Sequence, residues 1–227
     1  MILQALHDLY GRLADDDEYQ IAPAGYSTQN ISFQVILKPD GRLQQIADIR
    51  DLDDGKKLRP RQVLVPGQAK PSGSGLNPCF LWDNALYILG FTQDEAKRKR
   101  ALPAFEAFRD RHLGLEADID DEGFSAVCRF LENWQPEQAG EWVTKHSKPD
   151  ALATGFGVFR FEGETQYIHE KTTIRDWWAN NHAVIPAGEG GRARQQTCLI
   201  TGGQASVARL HEPAIKGVND AQPGGAK

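Results

Sequence analysis

The chain has 227 residues, 40% of them hydrophobic, and a formal net charge of −5. That length buries a sizeable core, as one large domain or two small ones, and the net charge by itself announces no nucleic-acid partner. The three cysteines, Cys79, Cys128 and Cys198, are odd in number and widely spaced. They exclude a disulfide framework and a cysteine zinc site, and they suit a reducing cytoplasm.

In the opening stretch MILQALHDLYGRLADDDE, Ile2, Leu6, Leu9 and Leu13 recur at helical spacing, with Leu3 and Tyr10 beside them. The spacing predicts an amphipathic helix with one buried face. No basic region precedes its apolar positions, so it is not a signal peptide, and no window of the chain reaches eighteen apolar residues, so no membrane span is expected. The acidic run at 15–18 ends the helix, and residues 21–26, with Pro23 and Gly25, read as loop.

Ile31, Phe33, Val35 and Leu37 predict a strand with one face buried. Lys38-Pro39-Asp40-Gly41 turns it into a return strand over 42–49, with Leu43 and Ile46 towards the core. Next comes GKKLRPRQVLVPGQAKPSGSGLNPCFLWDN, residues 55–84. Four cations, Lys56, Lys57, Arg59 and Arg61, lead into the short apolar strand Val63-Leu64-Val65. Pro66-Gly67 ends that strand. The following segment has nothing apolar to bury until Phe80-Leu81-Trp82, so it is exposed. From Phe80 the chain reads as a strand and then a short helix that Asp83 or Asn84 caps, closed by Gly90.

Thr92 and Glu95 form a predicted capping box for a helix through Lys97, Arg98, Lys99 and Arg100, which Pro103 interrupts or kinks. Phe105, Phe108 and Leu113 continue a helical stripe to Gly114. Further helices are expected over 122–132, and after Pro136 with Ala139, Trp142 and Val143. From Ala151 the period changes. Phe156, Val158, Phe159 and Phe161 predict a strand, Glu162-Gly163-Glu164 a turn, and Tyr167 and Ile168 a return. Residues 174–180 form a short helix or aromatic plug. Gly188, Gly190 and Gly191 mark a second flexible loop beside Arg192 and Arg194. Cys198-Leu199-Ile200 is expected as a strand turned by residues 201–203, and 208–215 as an edge element. The fold class is α+β: a small mixed or antiparallel sheet, from about 21–91 and 151–215, with an N-terminal helix and a helical insertion over about 92–146.

Catalytic signatures are missing. The six histidines, His7, His112, His146, His169, His182 and His211, show no metal spacing, and there is no G-x-S-x-G elbow or phosphate-cradling loop. Asp51, Asp53 and Asp54 have metal-ligating chemistry, yet beside so many cations they read as solvated surface. The expectation is a chain that is not an enzyme and needs no cofactor or metal.

Nucleic-acid chemistry has more support. Lys56, Lys57, Arg59, Arg61, Arg192 and Arg194 are the candidate phosphate contacts. Gln68, Lys70, Ser72 and Asn77 offer amides, a hydroxyl and an ammonium to base edges. From composition alone an ordinary solvated loop explains the same residues. Trp177 and Trp178 diverge on a helix. Trp178 is assigned to a partner surface together with Lys97, Arg98 and Arg100.

The blocks MILQALHDLYGRLADD, IAPAGYSTQNISFQVILKPDGRLQQIADIRD, GKKLRPRQVLVP, NPCFLWDNALYILG and ARLHEPAIKGVNDAQPGGA occur in order along the whole chain. Together they resemble the large subunit of the type I-C CRISPR surveillance complex, the type I-C Cascade, over its N-terminal part. Family members are longer, with a helical C-terminal portion beyond the region matched here. The resemblance implies a non-catalytic domain spanning 1–227. It recognises the short motif flanking a target in double-stranded DNA and helps to open the duplex for the guide RNA. The implied partners are target DNA, the guide-RNA-bearing Cascade and its neighbouring subunits, and a recruited helicase-nuclease. A phage inhibitor that imitates DNA charge is a further expected partner. The implied readers fall in the loop after LRPRQVLVP, at Gln68, Lys70, Ser72 and Asn77, with the minor groove the favoured route for a mobile loop. The competing expectation is a scaffolding domain that mainly binds neighbouring subunits.

Overall fold

The structure is a computed structural model that describes residues 2–14, 16, 18–19, 21–23, 25–53, 55, 57–68, 70, 75–146, 149–181 and 195–206. The chain divides into two units, Met1–Pro23 with Pro186–Lys227, and Ala24–Ile185.

In the first unit, α1 spans Ile2–Ala14. The helix forms as its periodicity predicts, but Ile2, Leu3, Leu6, Leu9 and Tyr10 are all exposed. The expected buried face is therefore an exposed one. The same unit holds a small hairpin, β8 (Gln195–Thr197) with β9 (Gln204–Ser206). Cys198, Leu199 and Ile200 are its turn and not a strand. The Cys198 amide donates to the Gly203 carbonyl, and the Gly202 amide donates back to Cys198 at 2.8 Å. The edge element expected over 208–215 lies outside the described residues.

The second unit is built on β1 (Tyr26–Leu37), the longest strand described. It pairs antiparallel with β2 (Leu43–Asp48) through Phe33–Leu37, and with β5 (Arg61–Pro66) through Tyr26–Ile31. On its other side lies β7 (Phe156–Phe161), which runs parallel to it. β7 in turn carries β6 (Trp82–Asn84), antiparallel. The sheet order is β2-β1-β7-β6 with β5 also on β1. A parallel neighbour needs a crossover. The crossover here contains α2 (Ala85–Ile88), α3 (Arg98–Leu113), α4 (Glu122–Asn133), α5 (Ala139–His146) and α6 (Pro149–Thr154). The class is α+β.

Because β1 is central, both its faces are covered over residues 31–37, not the single face its alternation suggested. Phe33, Val35 and Leu37 join Phe159 and the helical aromatics Phe105, Phe108, Phe124 and Phe130 in the main core. A register irregularity between Ile31 and Phe33 sends Ile31 to a second cluster with Ile49, Val65, Trp82 and Val158. Each large side chain buried this way stabilises the fold by about 1.5–3 kcal/mol. Gly157 lies under the Phe33 ring, and a β-carbon there would stand 2.1 Å from that ring.

Local signals fix the helix starts. The Asn84 side chain accepts from the Leu86 amide at 3.1 Å and caps α2, and Asp121 caps α4 through the Phe124 amide. The 92–95 box resolves differently. Asp94 caps a 3-10 turn over Glu95–Lys97, and α3 follows with Pro103 inside it. The return at 167–168 is one bridge from Tyr167 to Arg160, followed by a 3-10 turn, Ile168–Glu170. α7 (Thr172–Asn181) closes the unit. No described helix is long and apolar enough to cross a membrane.

Candidate nucleic-acid interface

After β5 the chain runs from Gly67 to Phe80, with Gln68 and residues 75–77 exposed among those described, and both ends of this segment are pinned. Gly67 has φ of +89°, a conformation that only glycine adopts freely, and this turns the chain out of the sheet. Its amide donates to the Gly25 carbonyl at 2.7 Å, and its own carbonyl accepts from the Ser27 hydroxyl at 2.7 Å. The buried Trp82 indole donates to the Pro66 carbonyl at 2.6 Å. At the far end, the Cys79 amide donates to the Asp83 carboxylate at 3.0 Å. The Leu81 amide donates to Nε2 of His112 at 3.0 Å. Since Nε2 accepts, the proton sits on Nδ1, which donates to the Phe108 carbonyl at 2.7 Å. Burial holds His112 neutral, with its pKa lowered to about 3.

A third fastening lies between the ends. Lys70 places Nζ 2.6 Å from both oxygens of Asp83, a carboxylate with no exposed surface. The same ammonium stands 3.2 Å over the Tyr87 ring. The Tyr87 hydroxyl accepts from the Asn77 amide at 3.3 Å. Burial pushes the Asp83 carboxyl up, against the pull of Lys70 and the amides of Cys79 and Asn84. α3 backs the segment: Arg100, near its start, donates to the Gly75 carbonyl, and His112, near its end, holds Leu81.

The predicted readers separate on this frame. Gln68 and Asn77 are exposed. Lys70 is not a projecting reader, because its ammonium is held at the root of the segment by Asp83 and Tyr87. Ser72 lies outside the described residues, as do Lys56, Arg192 and Arg194 among the phosphate candidates. Lys57 and Arg59 sit on β4 (Lys57–Arg59), which pairs with β3 (Asp51–Asp53), and Arg61 opens β5. Two of these cations are partly neutralised: Arg59 by Asp53 at 2.5 Å and Arg61 by Asp51 at 2.8 Å. Asp51 and Asp53 are thus ion-pair partners, and no group of metal-ligating side chains occurs among the described residues.

In the basic run, Lys97 pairs with Asp94 and Arg98 with Glu95, while Arg100 reaches Gly75. The assignment of Trp178 to a partner surface is corrected. It is 5% exposed, stacks on Phe80 at 5.0 Å between ring centres, and donates from its indole to the Gly25 carbonyl at 2.7 Å. Of the tryptophan pair, Trp177 is the half-buried one. The anchoring roles of Asp83, Tyr87 and His112 escaped sequence reasoning. Only Asp83 carried a signal, a carboxylate inside an apolar run.

Residues 6–227 match the family described as CRISPR-associated protein (Cas_Csd1). The chain belongs to that family. At this level the resemblance read from the sequence holds: the chain is a CRISPR-associated component of the Cascade kind. Among curated proteins none matches.

Proposed function

We propose that this chain is the N-terminal part of the large subunit of a type I-C Cascade, where it contacts double-stranded DNA and recognises the motif flanking the target. It does no cleavage chemistry. Gln68 and Asn77, with Ser72, read base edges or the groove, while Lys57, Arg59 and Arg61 meet phosphates and the 97–100 run steadies the duplex. The observation that carries this is the fastening of the 67–80 segment at both ends and at Lys70, which presents exposed amides from a fixed base. Guide-RNA pairing reads the rest of the target, and a helicase-nuclease recruited by the complex cuts it. The working compartment is the cytoplasm. A phage inhibitor imitating DNA charge would compete for the same surface.

The experiment is duplex binding by the reconstituted complex containing the full-length subunit, across flanking-motif variants and at two salt concentrations. Gln68→Ala or Asn77→Ala is expected to flatten the preference among motifs by about 1–3 kcal/mol and leave the salt dependence unchanged. An intact preference in both variants removes the reading role. A second role, docking on neighbouring subunits, has one observation in its favour: the exposed apolar face of α1.

A further inference from the structure

Arg111 stands on the last turn of α3 with its Nε buried and without a hydrogen-bond partner. It makes no ion pair among the described residues. The groups that act electrostatically on it are Cys79, at the far end of the 67–80 segment, and Asp83 just beyond. Asp83 is already satisfied: Lys70 occupies both oxygens, and the amides of Cys79 and Asn84 donate to them as well. Cys79 carries no compensating charge, because burial and Asp83 push its thiol pKa far up. The root of the segment therefore holds two cations, Lys70 and Arg111, against one carboxylate.

A guanidinium whose Nε is buried without an acceptor is unfavourable for the fold, and burial depresses its pKa accordingly. Such a group persists most simply where a bound anion completes it. The planar fork of N–H donors matches a phosphate in particular. Position supports the same ligand. Arg111 precedes His112, the residue that holds Leu81, whereas Arg100 holds Gly75 eleven residues earlier on the same helix. At 1.5 Å per residue their backbone positions are about 16 Å apart along the helix, so both ends of the segment lie along one helix.

We propose that Arg111 is a phosphodiester contact, whose guanidinium takes a backbone phosphate of bound nucleic acid at the root of the 67–80 segment. This rests on the reading of that segment as the DNA-facing part of the chain. The phosphate comes from target DNA or from guide RNA, and the chemistry is the same for both.

The test uses the full-length subunit in the reconstituted complex, with Arg111→Gln, Arg111→Met and Arg111→Lys, and Lys145→Gln as a control for loss of a surface cation. Two quantities are read. One is unfolding of the subunit without nucleic acid. The other is the salt dependence of binding, measured separately for guide RNA and for target duplex. The expected result is unchanged or raised stability for the Gln and Met variants. Their affinity falls several-fold for every flanking motif, and the slope of log affinity against log salt drops by about one. The Lys variant keeps the slope. A drop on the duplex arm assigns the phosphate to DNA, and a drop on the RNA arm assigns it to the guide. If the Gln and Met variants lose stability and both slopes stay at wild type, Arg111 is a structural side chain and the proposal is overturned. Motif preference is scored separately through Gln68 and Asn77, so failure of the reading role and failure of Arg111 give different results.

Discussion

The amide of Leu81 donates to the imidazole of His112 at 3.0 Å, and Leu81 makes that bond with φ of 61°, in the left-handed region that a leucine rarely occupies. The strain is tolerated because both side chains are fully buried and the bond leaves the Leu81 amide satisfied. His112→Phe keeps an aromatic ring but removes the acceptor. It is expected to destabilise the fold by about 1–3 kcal/mol in urea unfolding. An unchanged midpoint and slope would show that the amide finds another partner.

Acid should weaken the fold early. His112 and His169 are buried and neutral, with pKa lowered from 6.5 to about 3 and about 4. Above pH 6.5 folded and unfolded chains are both neutral at these sites. As the pH falls below 6.5 the unfolded chain takes up protons that the folded chain refuses. Stability then declines by about 1.4 kcal/mol per pH unit for each histidine. The decline ends near pH 4 for His169 and near pH 3 for His112. Asp83 pulls the other way, because its raised pKa makes the folded state the better proton acceptor. Unfolding free energies at about pH 7, 6 and 5 check the slope, and His112→Gln should make it shallower.

Lys70 and Asp83 should behave as a coupled pair. Asp83→Ala leaves an ammonium against an aromatic ring at a half-buried site, and a loss of about 3–5 kcal/mol is expected. Replacing both, as Lys70→Met with Asp83→Leu, should recover much of that loss. A double-mutant cycle on thermal unfolding measures the coupling, and additive losses would argue against it.

The acidic partners of the basic ribbon should restrain nucleic-acid binding. Asp51→Asn with Asp53→Asn frees Arg61 and Arg59 from their pairs. Duplex affinity at low salt is expected to rise several-fold, with a salt slope steeper by about one to two. Loss of affinity would mean that the ion pairs orient the arginines rather than mask them.

Gly157→Ala places a methyl group against the Phe33 ring, where no space exists. A destabilisation of about 1–3 kcal/mol is expected from overpacking, and Phe33→Leu should relieve part of it. Thermal unfolding of the two single variants and the double variant decides this.

Much of the fold was legible because it is local. The hairpin over 31–49 followed from alternation around Pro39-Asp40-Gly41. α4 followed from Phe124, Val127, Cys128 and Leu131 at helical spacing, and α2 from the Asn84 cap. What stayed hidden is set by distant partners. β1 and β7 lie side by side although more than a hundred residues separate them, so nothing local told β1 that both its faces would be covered. Trp178 and Trp177 are adjacent, chemically alike and both packed on Phe80, and the distant Gly25 carbonyl, which takes the Trp178 indole, is what sets them apart. The site was legible in outline only. Composition marked the 67–80 segment as exposed and polar, but Lys70 looked like any surface lysine until Asp83, thirteen residues away, closed on it.

The fastening of that segment also bears on the heat of binding. A loop that orders on its ligand loses conformational entropy during association and shows a large negative heat-capacity change. Here the main-chain bonds from Gly67, Asn77, Cys79 and Leu81 form when the protein folds. For these residues little backbone ordering remains for the encounter. These pinned residues should therefore add little to the heat-capacity change of association.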